Sequence, residues 1–153
     1  MIKILFICLG NICRSPMSEA YMRHIVKERN LEDKIQIFSK ATSNYNIGNP
    51  PHSGTQKILT KYKIDFSNIY SEQLTKQDLI DCDYIIVMDD SNMNDVLKIN
   101  SSKKIYKLTD FIENCEHTYI PDPYYTRNFV LTYELVSKGC NSLLEHIIKE
   151  HNL

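Results

Sequence analysis

Ile2-Lys3-Ile4-Leu5-Phe6-Ile7-Cys8-Leu9-Gly10-Asn11-Ile12-Cys13-Arg14-Ser15-Pro16 decides the fold of this chain. The run to Ile7 is apolar and rich in β-branched residues, as a buried strand is, and helical periodicity begins after Pro16. A strand that ends in cysteine, turns through a short loop and enters a helix suits an oxyanion. Backbone N–H groups of such a loop, turned inward at a helix N-terminus, form an anion-binding nest. Arg14 adds a planar, always-charged fork that matches two phosphate oxygens. Ser15 stands where an N-cap falls and Pro16 at the first helical position, where its missing N–H costs nothing. Cys8 then reads as a thiolate nucleophile, because a helix N-terminus and a nearby arginine both favour the ionised sulfur. A cysteine at a strand end is often plain packing. Here the strand, the internal glycine and the Ser-Pro helix start together favour the chemical reading.

Outward from that loop, strand-like runs alternate with helical patterns, which predicts βαβ units and a parallel sheet. The strands are expected at Lys3 to Cys8, Lys34 to Ser39, Asp83 to Met88 and Lys104 to Leu108. Met17, Ala20, Tyr21 and Ile25 place a helix through about Arg29, with Asn30 as its stop. Gly48 and Pro50-Pro51 mark a loop before a short helix from Ser53 to Tyr62. Thr75 caps a helix through Asp81, and Ser91 caps another from Asn92 to Ile99. Residues 109 to 121 are irregular or briefly helical. A long last helix is expected from Arg127 to His151, with Phe129, Tyr133, Val136, Cys140, Leu143, Leu144 and Ile147 inward. In open α/β sheets the ligand lies beyond the carboxyl ends of the strands, so the loops after all four strands surround one crevice.

Composition narrows the class. The 153 residues, 42% hydrophobic, suffice for one domain (1–153) with its own core, and helices are expected on both faces of the sheet. A net charge of −1 gives no footprint for nucleic acid, and no apolar run has the length of a membrane span. Five cysteines (Cys8, Cys13, Cys82, Cys115, Cys140) at irregular spacing form neither a zinc pattern nor a disulfide scaffold, and neither metal nor cofactor is expected. A reducing, cytoplasmic setting follows as the expectation, with the protein a monomer or weak dimer.

The stretch Cys8 to Pro16 resembles the signature loop of the low molecular weight protein tyrosine phosphatases, a Cys-x5-Arg followed by Ser/Thr-Pro. Asp122-Pro123-Tyr124-Tyr125 resembles that family's general-acid motif, and Ala41 to Asn46 and Met88 to Asn92 resemble weaker family stretches. The resemblance runs from end to end of the chain. It implies a four-stranded parallel sheet of order 2-1-3-4, the phosphotyrosine phosphatase I-like fold, and hydrolysis of aryl phosphate monoesters on tyrosine-phosphorylated proteins. Acid phosphatase activity, with inorganic phosphate as product, goes with it.

On this reading Cys8 attacks phosphorus while the amides of Leu9, Gly10, Asn11, Ile12, Cys13, Arg14 and Ser15, with the Arg14 side chain, hold the equatorial oxygens. Asp122 protonates the leaving phenolate and later activates water; by position alone it serves equally as cap of a helix starting at Pro123. Ser15 either closes the helix or, as the resemblance implies, steadies the departing thiolate. Gly10 is expected to take an unusual backbone angle and Asn11 a left-handed one; the resemblance implies that Asn11 braces the loop and that Ser39 contacts it. Leu9, Ile12, Tyr45, Tyr124 and Tyr125 are the walls of a slot deep enough to prefer phosphotyrosine to phosphoserine. The resemblance makes Cys13 a redox partner for Cys8. It also links Ile12, where arginine-dephosphorylating members tend to carry Thr, to aryl phosphates. Asp89-Asp90 reads as a capped helix start, not a metal or acid–base pair.

The chain departs from the pattern twice. Many members carry a loop-bracing His shortly before the segment that is here Gln73-Leu74-Thr75; Asn68 stands in that region and is left to substitute by hydrogen bonding. Lys63 replaces a Gly usual at a helix C-terminus. A thioredoxin-linked arsenate reductase would share the loop but needs redox cysteines after the third strand, where Met88 to Asn94 has none. A phosphate-binding module without catalysis is the other alternative, and Cys8, Arg14 and Asp122 all speak against it.

Overall fold

The computed structural model describes residues 1–153, in which four strands form one sheet. β1 (Ile2–Cys8), β2 (Ile35–Ala41), β3 (Tyr84–Val87) and β4 (Ile105–Lys107) lie in the order β2-β1-β3-β4, every neighbouring pair parallel. Alternation along β1 explains its unbroken apolar run. Ile4, Phe6 and Cys8 join one core with Met17, Ala20, Val136, Cys140 and Leu143, while Leu5 and Ile7 join a second with Leu79, Cys82 and Val96. A strand covered on both faces has no solvent side to leave polar.

The helices that cover it are α1 (Arg14–Glu28), α2 (Ser53–Lys61), α3 (Lys76–Asp81), α4 (Asp90–Ile99), α5 (Pro123–Thr126) and α6 (Phe129–His151). α1, α2 and α6 pack on the first face and α3 and α4 on the other, so helices on both faces are borne out. Gly139 is fixed by packing: a Cβ there would lie 2.6 Å from Leu108, whose side chain is fully buried against α6.

Several boundaries differ from expectation, each for a local reason. β2 continues past Ser39 to Ala41 because Lys40 and Ala41 pair with Ile7 and Cys8, and the Ala41 N–H also bonds the Glu72 carbonyl. Leu108 begins a 3-10 turn, Leu108–Phe111, instead of ending β4. α6 starts at Phe129, not Arg127: Arg127 closes α5 in a left-handed conformation (φ 62°) and the Asn128 side chain caps α6 through the Leu131 N–H. Asp89, not Ser91, caps α4. Thr75 caps α3 in a full capping box with Asp78, and Asn30 stops α1 at φ 55°, both as expected.

Candidate active site

The loop between β1 and α1 is held by its carbonyls. The Thr42 N–H bonds the Cys8 carbonyl (3.0 Å), the Ser43 N–H and Oγ both reach that of Leu9, Ser71 Oγ donates to that of Gly10 (2.9 Å), and the His52 N–H to that of Ile12 (2.8 Å). With four carbonyls drawn outward to three other segments, the loop amides are free to face inward. One does so visibly: the Asn11 N–H points at Cys8 Sγ, 3.3 Å away. Such converging N–H groups are an anion nest.

α1 is built to leave that nest unfilled from within. Its N-cap is Cys13, which offers no side-chain acceptor, whereas His52, Thr75, Asp89, Asp122 and Asn128 each cap their helices with a side chain. The first-turn N–H groups of α1 therefore keep their hydrogen-bonding capacity for an anion. This overturns the reading of Ser15 as N-cap and of Pro16 as first helical residue: both lie inside the helix, which starts at Arg14. Pro16, third in the helix, still costs nothing, because N–H groups of the first turn lack intrahelical partners anyway. Ser15 Oγ instead sits 3.0 Å from Cys8 Sγ, consistent with the role implied by the resemblance.

Asn11 is the brace. It takes the left-handed conformation expected of it (φ 55°) and is buried. Its Oδ1 accepts the Glu72 N–H (3.0 Å), and its Nδ2 donates to Ser15 Oγ (2.7 Å) and Ser39 Oγ (2.9 Å). Ser39 passes the chain on, donating to buried Glu19 at 2.5 Å. Burial raises the Glu19 pKa, against the Arg23 charge and the Ser39 hydroxyl, which lower it. Two expectations fail in this region. Gly10 has no positive φ; its lack of a side chain matters because a Cβ would approach Asn46 Nδ2 to 2.9 Å. Asn68 is exposed and turns the chain at φ 64°, so it does not brace the loop. Ser71 and Glu72, a few residues on, do so.

Arg14 lies buried beneath the loop. Its Nη1 donates to Asp89 Oδ2 (2.6 Å) and the Ile120 carbonyl (2.9 Å), and its Nη2 to Asp122 Oδ2 (3.4 Å). Three of five guanidinium N–H bonds thus fix the fork, and Nε–H with the second Nη2–H remains for a ligand. Burial works against the charge, but the neighbouring Cys8, Asp122 and Asp89 outweigh it and raise the Arg14 pKa. Asp89 both caps α4 and anchors Arg14, a second role that its sequence position did not disclose. Asp122 is double too. Its Oδ1 caps α5 through the Tyr124 N–H (3.0 Å), and its Oδ2 faces Arg14, so the two readings of Asp122 are compatible.

A cleft of about 250 Å³ opens above the sulfur, lined by Cys8, Leu9, Gly10, Ile12, Cys13, Tyr45, Asn46, Asp122, Tyr124 and Tyr125. All five residues expected as slot walls are among them, and Asn46 is an addition. Cys13 shares the cleft with Cys8, both as free thiols. Its pKa is pushed up to about 12, first by burial and then by the charges of Cys8 and Asp122, against a Thr55 hydrogen bond and Arg14.

Comparison with known proteins agrees with this geometry. Residues 3–153 match the family model of the low molecular weight phosphotyrosine protein phosphatases. The low molecular weight protein-tyrosine-phosphatase PtpA of Staphylococcus aureus is 46% identical over 155 aligned residues, covering 100% of this chain and 98% of that protein. Among solved structures, YfkJ of Bacillus subtilis superposes with a TM-score of 0.96 at 44% identity, covering 98% of this chain and 96% of the other. DARP, the Drosophila arginine phosphatase, gives 0.89 at 32% identity, covering 95% and 98%. The chain belongs to the low molecular weight phosphotyrosine protein phosphatase family.

Proposed function

We propose that this chain, as one domain, hydrolyses phosphotyrosine in proteins through a phosphocysteine. The carrying observation is that α1 begins without a side-chain cap beneath a loop whose Cys8, Leu9, Gly10 and Ile12 carbonyls are drawn outward, with Cys8 Sγ at the centre. In the first step Cys8 Sγ forms a bond to phosphorus as the phosphorus–oxygen bond to the phenol breaks. Loop amides and Arg14 take the charge of the equatorial oxygens, and Asp122 gives its proton to the departing oxygen. In the second step water attacks phosphorus, Asp122 accepts its proton, the thiolate leaves against the Ser15 hydroxyl, and inorganic phosphate is released.

The slot supports the aryl class. Tyr45, Tyr124 and Tyr125 line the cleft over Cys8, a residue only 3% exposed, an arrangement that suits a phenyl ring better than the shorter serine methylene. Ile12 makes the slot apolar beside the reacting centre. A cytoplasmic location fits the free thiols, and no helix is long and apolar enough to cross a membrane. Assay of phosphotyrosine, phosphoserine and phosphoarginine peptides in EDTA tests the proposal. Phosphotyrosine is expected to be turned over at least about tenfold faster per unit KM than the others, a difference of about 1.4 kcal/mol in transition-state binding. Loss of activity in EDTA, or preference for phosphoarginine, overturns it.

A further inference from the structure

The two sides of the cleft come from distant parts of the chain, Ile12 from the phosphate loop and Tyr124 from α5, and one helix end touches both. In the first turn of α2 the His52 N–H and Thr55 Oγ1 donate to the Ile12 carbonyl at 2.8 and 3.3 Å. The His52 imidazole turns the other way. Its ring packs edge-on against Tyr124, with centroids 6.2 Å apart and planes at 82°, and stacks on Phe129 at 5.1 Å and 20°. The ring is not free to turn, because Nδ1 accepts the Gly54 N–H at 3.0 Å as cap of α2. That bond also makes Nδ1 the acceptor of the neutral ring and places the proton on Nε2. Phe129 in turn needs Gly54: a Cβ there would stand 2.5 Å from the phenyl ring.

We propose that His52 is a positioning residue for the substrate ring: its imidazole, locked by capping α2 and backed by Phe129, sets the distance of the Tyr124 wall from the phosphate loop. Neither Tyr124, 48% exposed, nor Tyr125, 72% exposed, is held in place by burial, so the edge contact with His52 supplies what the core does not. The imidazole does not reach the reacting atoms. Its effect falls on ring affinity, while phosphate affinity belongs to the loop amides and Arg14; His52 bonds that loop only through its backbone N–H, at the Ile12 carbonyl.

The inference rests on the proposed aryl specificity, and the test separates the two. His52→Asn keeps an N-cap acceptor and the backbone N–H but removes the ring; His52→Phe keeps a ring and removes the acceptor. Affinities for phenylphosphonate and for inorganic phosphate are measured by calorimetry, alongside kcat and KM for p-nitrophenyl phosphate and a thermal melt. In His52→Asn the phenylphosphonate Kd and the KM are expected to rise about 3- to 10-fold, the factor an edge-to-face aromatic contact is worth, with kcat and the inorganic phosphate Kd unchanged. His52→Phe is expected to retain wild-type phenylphosphonate affinity despite a lower melting temperature. Unchanged ring affinity in His52→Asn overturns the inference. So does a parallel loss of inorganic phosphate affinity, which would route the effect through the phosphate loop, or an equal loss in both variants. A wild type that binds phenylphosphonate without hydrolysing esters removes the proposed function and leaves the His52 comparison standing.

Discussion

The two loops that meet over Cys8 are held by opposite means. The phosphate loop is core: Cys8, Asn11, Cys13, Arg14 and Ser15 are each 3% exposed or less, and β2, α2 and the Ser71-Glu72 segment all bond its carbonyls or its Asn11 side chain. The loop carrying Asp122 is tied to the rest of the fold by few bonds: buried Ile120 bonds the Met88 carbonyl and receives Arg14, and Arg14 Nη2 also reaches Asp122 Oδ2 at 3.4 Å. Beyond these the backbone bonds are local. The Asp122 carboxylate and carbonyl take the N–H groups of Tyr124, Tyr125 and Thr126, and the Arg127 N–H reaches back to Pro123. Charge recognition needs donors that do not reorganise when the dianion arrives. Proton delivery and ring recognition need groups that meet solvent and substrate. On the proposed mechanism, stability, phosphate binding and the nucleophile therefore concentrate in one loop, proton delivery and ring specificity in the other.

The largest test of that division is Cys8→Ser. Turnover is expected to fall by about 10⁴-fold or more, as loss of a covalent nucleophile does, while inorganic phosphate binding survives because amides and Arg14 remain. Trapping of a phosphorylated enzyme in wild type and its absence in the variant is the check. Next comes Asp122→Asn, expected to lower kcat/KM about 10²- to 10⁴-fold on phenyl phosphate and less on p-nitrophenyl phosphate, whose leaving group needs a proton least. Asn is itself a good N-cap, so α5 and the melting temperature should hold. Equal losses on both esters would remove Asp122 as the acid.

Breaking the other loop should reverse the pattern. Asn11→Ala deletes three side-chain hydrogen bonds in the core and leaves a Cβ-bearing residue at φ 55° without the Asn preference for it. A loss of about 2–4 kcal/mol is expected from denaturant melts, against less than about 0.5 kcal/mol for Tyr125→Ala at the exposed end of the slot.

Residues that act through their chemical type were legible in the sequence. The proposed roles of Cys8, Arg14 and Asp122 call for a thiol, a guanidinium and a carboxyl group, and β1 was legible because a strand buried on both faces, as this one is from Ile4 on, is apolar. The partners that hold the phosphate loop were not, since Thr42, His52 and Glu72 act on it through backbone N–H groups that nearly every residue possesses. Glu19 was hidden differently: a charged residue on a helix ordinarily faces water, and only the packing of β2 against α1 buries it. Ser15 was misread because capping preference describes helices that close their own ends, while α1 leaves its N-terminus open. Asp89 was read only as part of a capped helix start, with the cap given to Ser91, and its contact with Arg14 is made across the fold.

Cys13 tests the buried loop under oxidation. If Cys13 is the redox partner of Cys8, the sulfenic acid that peroxide forms on Cys8 is attacked by the Cys13 sulfur, and loss of water gives a disulfide that thiols reduce. Cys13 is protonated near neutral pH, its pKa standing at about 12, and ionises only as pH approaches that value. Part of that elevation comes from the Cys8 charge, which oxidation removes, so Cys13 becomes easier to ionise once its partner needs it. Recovery of activity after dithiothreitol is expected to be nearly complete in wild type and a few-fold lower in Cys13→Ser. Equal recovery would leave Cys13 as packing alone.

The smallest effect lies away from both loops, at the C-terminal end of the helix whose N-terminus holds Ile12. Lys63 is left-handed at φ 59° and exposed, a conformation that costs a residue with a Cβ about 1 kcal/mol relative to glycine. Glycine gives part of that back through the greater entropy of its unfolded chain. Lys63→Gly is therefore expected to raise stability by at most about 0.5 kcal/mol in denaturant melts, with kcat, KM and phosphate affinity unchanged. A change in KM without a change in kcat would mean that strain at one end of α2 reaches Ile12 and Tyr124 at the other. The ring wall and the phosphate loop would then share a support that moves as a unit, and the division between a fixed loop and a locally held one would have to be redrawn around α2.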